Sequence, residues 1–187
     1  NATDPDGTTA RVAWQRGPLA LFGRALLPSR SVDLAETVLQ QATEKLPVDP
    51  QAYYYLADAA ERRGHAELAL RALRDYRALE GDDADNRRRA VMFGRLGDLS
   101  MQVQKPADAV AWYQRAIETT GADVSLLVRL SEAQLQAGSP AAALATLQRA
   151  LDKDPFNKDA LALARRMKLP TAPSSDPRGP GGHPQGS

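Results

Sequence analysis

The sequence predicts an all-α protein, and three observations carry that prediction. Of 187 residues, 33 are alanine and 24 are leucine, the two best apolar helix formers. Aromatic residues make up only 5%, a small share for β-sandwiches or barrels, which lean on Tyr, Phe and Trp. Glycine and proline punctuate runs of about 12 to 16 residues whose apolar positions recur with the 3.6-residue helical period.

The elements follow in order. Asp49-Pro50 offers an N-cap with proline at the first helical position, opening a helix over about 50–63. Gly64 ends it as a left-handed residue. A second helix runs over about 66–79 to Gly81, and Asp85 or Asn86 caps a third reaching about residue 104. Pro106 opens a helix that Gly121 closes, and Asp123 caps one that ends at Gly138. Ser139-Pro140 repeats the cap-plus-proline signature and starts a helix to about residue 153. Asn157 caps the last helix, which stops before Pro170. Upstream, Leu19, Phe22 and Leu26, then Leu39, read as a weaker helix pair. Pro28 shortens its first member, and Arg30 stands where a glycine belongs.

The chain ends differ. Residues 1–15 read as an N-terminal extension, polar over its first nine residues. Residues 170–187 hold five prolines and four glycines and lack the apolar content to offset ordering entropy, so they read as a disordered tail.

The pairs repeat. The small residues Ala35, Ala69, Ala109 and Ala143 lie 34, 40 and 34 residues apart, and Ala42, Tyr76, Ala116 and Ala150 return the same spacings. The middle gap is one period plus an insertion of six, at about 84–89. This spacing resembles the tetratricopeptide repeat, a 34-residue helix-turn-helix unit. Residues 90–123 show Phe93, Leu96-Gly97, Ala109, Tyr113 and Ala116; residues 124–157 show Leu127, Leu130, Gly138, Ala143, Leu147, Ala150 and Asp154-Pro155. Residues 50–83 show Tyr53, Leu56-Ala57, Gly64, Ala69, Leu73 and Tyr76, and a weaker copy spans 16–49. Residues 158–169 look like a terminal capping helix with the stripe Ala160, Leu163, Ala164 and Met167. The resemblance implies a right-handed α-solenoid in which stacked copies bury one continuous core over 16–169.

It further implies a concave groove lined by the first helix of each copy. Residues one step beyond the core positions then face a ligand: Gln51, Tyr54, Asp58, Glu61 and Arg62, then Val91, Gly94, Asp98, Met101 and Gln102, then Ser125, Val128, Glu132, Leu135 and Gln136. The weak copy adds Ala20, Arg24 and Leu27. Family members that clamp a chaperone's terminal carboxylates use Lys, Asn and Arg where this chain has Tyr54, Asp58, Gly94, Asp98, Val128 and Glu132, so that clamp is missing. A mildly acidic row interleaved with Tyr54, Val91, Met101, Val128 and Leu135 suits a basic-apolar peptide or amphipathic helix.

Other chemistry is disfavoured. A chain without cysteine has no disulfide, thiolate catalysis or Cys-ligated zinc. The two histidines, His65 and His183, lie 118 residues apart, and His65 reads as a turn residue. No phosphate-binding glycine loop, nucleophile elbow or paired-histidine metal motif occurs. The Asp82-Asp83 pair reads as a solvated turn. The Arg87-Arg88-Arg89 run follows three aspartates and reads as a charge-cancelled helix start. With a net charge of +1 and no aromatic interleaving, nucleic acid is not the expected partner.

The expected function is therefore a non-catalytic interaction module or scaffold without cofactor or metal. The alternatives are a self-associating structural subunit of a larger complex and a regulatory domain of a longer enzyme. No apolar stretch is long enough for a membrane span. The chain opens at Asn1 and shows no signal peptide, which reads as a processed or excised form. Arginine outnumbers lysine 19 to 5, in keeping with a GC-rich bacterial genome. An extracytoplasmic, periplasmic location is expected over a cytoplasmic one.

Overall fold

A computed structural model describes residues 18–28, 31–80 and 85–168. The expected N-terminal extension, the Pro/Gly-rich tail, Arg30 and the first part of the insertion lie outside the described residues. Those described form nine helices and no strand: α1 (Pro18–Leu26), α2 (Val32–Lys45), α3 (Pro50–Arg62), α4 (Ala66–Leu79), α5 (Asn86–Gln102), α6 (Pro106–Thr120), α7 (Val124–Gln136), α8 (Pro140–Lys153) and α9 (Lys158–Arg166). Each helix packs chiefly on its neighbours in sequence, and α9 closes the stack against α8 and α7. The result is an all-α solenoid of helix pairs with a capping helix.

Side-chain caps start four of these helices. Asp49, Asp85, Asp123 and Asn157 accept from the backbone N–H of Gln51, Arg87, Leu126 and Ala160, satisfying one of the donors a helix start leaves unpaired. Ser139 makes no side-chain cap bond, so Pro140 with its preset φ carries that helix start.

Three turns within pairs share one solution. Gly64 (φ 77°), Gln104 (φ 59°) and Gly138 (φ 79°) sit in the left-handed region, each followed by a long-reach bond: His65 N–H to the Ala60 carbonyl, Lys105 to Ser100 and Ser139 to Gln134, all at 2.8 Å. Helix α5 thus ends at Gln102, two residues short of the expected boundary. The turn geometry recurs there without its glycine.

The aligned small residues lie in the core. Ala35, Ala69, Ala109 and Ala143 are all fully buried. A second set with the same spacings is Gly23, Ala57, Gly97 and Ser131. A Cβ on Gly23 would collide with Leu39, and one on Gly97 would clash with the Tyr113 ring. Ser131 fits because its hydroxyl donates to the Ala143 carbonyl at 2.7 Å. The main core runs from Leu27 through Leu39, Leu56, Leu73 and Leu96 to Ala116, and a second cluster of Leu127, Leu147 and Leu163 carries it into the cap.

Candidate functional site

The first helices α3, α5 and α7 stand beside one another with clefts between them. One cleft, of about 810 Å³, lies between α5 and α7 and reaches the ends of α6 and α8. A smaller one of about 260 Å³ lies between α3 and α5 and is backed by Tyr76 of α4. Val91 and Arg95 line both. A third, of about 560 Å³, opens between α5 and α7 at their C-terminal halves.

The expected groove residues divide among these clefts. Gln51, Tyr54 and Val91 meet in the small cleft, Val91, Gly94, Asp98 and Ser125 in the large one, and Asp98, Met101, Gln102, Glu132 and Gln136 in the third. Asp58, Glu61, Arg62, Val128 and Leu135 line none of the three. Val128 is buried at 8% exposure among Leu127, Leu147 and Leu163, and Leu135 packs against the same cluster. Met101 packs on the cluster of Tyr113 and Leu130. In the weak copy Ala20 and Leu27 are core, while Arg24 is exposed over the Tyr55 ring. The exposed members of the apolar row are therefore Tyr54 and Val91, the latter 62% exposed. One helical step past a core position is about 100°, which can still point inward where a neighbouring helix wraps around.

The acidic row is corrected more deeply. Each acid holds an arginine, three of them across a repeat. Glu61 accepts from Arg95 at 2.7 Å, Asp98 from Arg129 at 2.8 Å and Glu132 from Arg166 at 2.8 Å. Asp58 pairs with Arg62 at 3.1 Å, and Arg62 also donates to the Leu27 carbonyl at 2.8 Å. Asp98 takes a further bond from the Tyr113 hydroxyl at 2.7 Å. Glu61, Asp98 and Glu132 thus staple neighbouring copies, and each of the four carboxylates is paired with an arginine.

The tyrosine triplet divides by face. Tyr53 is half-buried beside Leu56 and Leu68, Tyr54 is exposed, and Tyr55 meets Tyr54 edge-on at 5.8 Å. Tyr54 also tilts against Tyr76 at 5.2 Å, with the Arg95 guanidinium 5.3 Å over its ring. Trp112 stacks on Phe93 at 5.9 Å, and Tyr113 is buried.

The three members of the arginine run separate, and Asp82 and Asp83, two of the aspartates expected to cancel their charge, lie outside the described residues. Arg87 lines the large cleft and Arg88 the small one, while Arg89 turns back to donate to Asn86. Neither Arg87 nor Arg88 forms an ion pair with a described acid. The signal was present in sequence as the i, i+4, i+8 stripe Arg87, Val91, Arg95, hidden by the aspartates before it.

His65 sits at the N-cap position of α4, and its Nδ1 lies 2.9 Å from Glu36, a buried carboxylate that also holds Arg63. It is a structural link between the first two pairs. Among the described residues, no group of three or more Asp, Glu or His is placed to hold a metal ion, and no helix is long and apolar enough to cross a membrane.

Consecutive helix pairs of this period, stacked around small residues with clefts between their first helices, define an α-solenoid repeat protein. The tetratricopeptide repeat family profile matches residues 20–86 and 95–167, and the chain belongs to that family. Its fold is similar to the crystal structure of YrrB, a TPR protein with an unusual peptide-binding site (TM-score 0.67, 18% identity, 88% of this chain and 83% of that one). It is also similar to the MamA protein (TM-score 0.58, 18% identity, 83% and 78%). A further likeness is to the APC/C hetero-tetramer Cut9–Hcn1 (TM-score 0.62, 17% identity, 81% of this chain and 30% of that one). No curated protein matches the sequence. The fold is that of a protein-interaction module.

Proposed function

We propose that this chain is a non-catalytic scaffold that binds a peptide or helix of a partner protein in the groove across α3, α5 and α7. The observation that supports this best is the continuity of the two clefts through Val91, a large apolar side chain left 62% exposed where the two cavities join. Exposed apolar surface inside a polar-rimmed groove is what peptide recognition uses for affinity. The family and the peptide-binding site named for YrrB point the same way. The basic-apolar partner expected from the acidic row loses its support, because Asp58, Glu61, Asp98 and Glu132 are each held by an arginine. The test is site-specific photo-crosslinking in extract of the native host, with the crosslinker at Val91 and, as control, at Leu144 on α8. Adducts at Val91 alone support the groove; equal adducts at both, or none at Val91, overturn it.

Self-association is the second reading, favoured by exposed apolar residues on the first pair: Leu21 (60%), Phe22 (52%) and Leu34 (49%). Light scattering against concentration tests it. A mass that grows with concentration in the native chain and stays monomeric in Leu21→Glu/Phe22→Glu supports this reading. A constant monomer mass removes it.

A further inference from the structure

The charge around the large cleft has a sign. Arg87, Arg95, Arg129 and Lys153 line it, with two carboxylates, Asp98 and Asp123. Both acids are engaged. Asp123 accepts the Leu126 N–H at 2.7 Å as a helix cap. Asp98 takes Tyr113 and Arg129. Arg95 is matched by Glu61. Arg87 and Lys153, both exposed, have no ion-pair partner among the described residues. Beyond the ridge of Val91 and Arg95, the small cleft adds Arg88 and is lined by no carboxylate. Three cations without an ion-pair partner among the described residues therefore face two adjoining cavities in a chain whose total charge is only +1.

We propose that this basic cleft docks an acidic segment of a protein partner, with Asp or Glu side chains meeting Arg87, Arg88 and Lys153 and an apolar residue resting on Val91. This rests on the groove reading above and gives that groove a charge preference. Charge complementarity selects the occupant: an anion gains from all three cations, whereas a cationic segment would have to displace guanidinium groups already bonded to Asp98 and Glu61. The large cleft offers Val91, Leu126, Ala90 and Ala122 between its charges and no aromatic ring. That suits apolar peptide side chains better than stacked bases.

The test is fluorescence anisotropy on the full 187-residue chain with three probes: a short fluorescein-labelled peptide of Glu, Leu and Ser, its counterpart with Lys for Glu, and a labelled oligo-dT. The acidic peptide should bind about tenfold or more tighter than the basic one and weaken as salt rises. Arg87→Glu and Lys153→Glu should each lower its affinity about tenfold, while Arg149→Glu, outside the cleft, should not. All three sites are exposed, so thermal melts should match the native chain. Tighter binding of the basic peptide overturns the charge assignment and leaves the groove standing. Tighter binding of oligo-dT overturns a protein partner. No binding of either peptide overturns the proposal, and crosslinking at Val91 then decides the groove separately.

Discussion

The Tyr113 hydroxyl of α6 donates to Asp98 Oδ1 of α5 at 2.7 Å, and Arg129 of α7 holds the other oxygen of the same carboxylate at 2.8 Å. One acid thus links three successive helices at the edge of the groove. Burial first, and the bond to Asp98 second, push the Tyr113 phenol well above its ordinary value of 10.0. Tyr76, buried and donating to Glu80, moves in the same direction. A phenol whose ionisation is held up in the folded state adds stability that is fully present below its unfolded value and is lost as pH rises past it. Thermal stability should be level on this account up to about pH 10 and then fall. Tyr113→Phe should flatten that alkaline fall while costing about 1 kcal/mol at neutral pH. Melts across alkaline pH check it; an unchanged slope in Tyr113→Phe would show that other groups govern the loss.

Two glycines of one helix should respond oppositely to the same change. A Cβ on Gly97 overlaps the Tyr113 ring, whereas nothing lies within 4 Å of one on Gly94. Gly97→Ala should destabilise by about 1–3 kcal/mol through overpacking, and Ala109→Leu should do likewise at its fully buried site. Gly94→Ala should stabilise by about 0.5–1 kcal/mol, because alanine loses less backbone entropy in a helix. Denaturant midpoints of the three variants measure this.

Gln104 occupies a left-handed position (φ 59°) that its counterparts Gly64 and Gly138 fill without a Cβ. Gln104→Gly should raise stability by about 0.5–1 kcal/mol, the relief of steric cost less the added entropy of the unfolded chain. A lower melting temperature would mean that the side chain contributes a contact worth more than the strain.

The inter-repeat ion pairs should differ with exposure. Glu61–Arg95 is largely shielded, with side chains 31% and 22% exposed, while Glu132–Arg166 is open at 36% and 59%. Double-mutant cycles with alanine should give about 0.5–1 kcal/mol for the first and at most about 0.5 kcal/mol for the second. Equal couplings would remove shielding as the cause.

The sequence by itself determined the repeat. Helix period, Asp and Asn caps, and small residues recurring at phase-locked positions are local or nearest-neighbour properties, and each is readable without long-range contacts. Ala35, Ala69, Ala109 and Ala143 are legible for that reason, whereas the turn at Gln104 is not, because it takes the left-handed geometry without the glycine that marks its counterparts. Tertiary structure alone decided the groove's charge. Glu61 and Arg95, like Glu132 and Arg166, lie 34 residues apart, and only the stacking of one copy on the next brings them within hydrogen-bond reach. That stacking pairs the acids expected to face a ligand with arginines, buries Val128, and leaves Arg87, Arg88 and Lys153 lining the clefts without an ion-pair partner among the described residues.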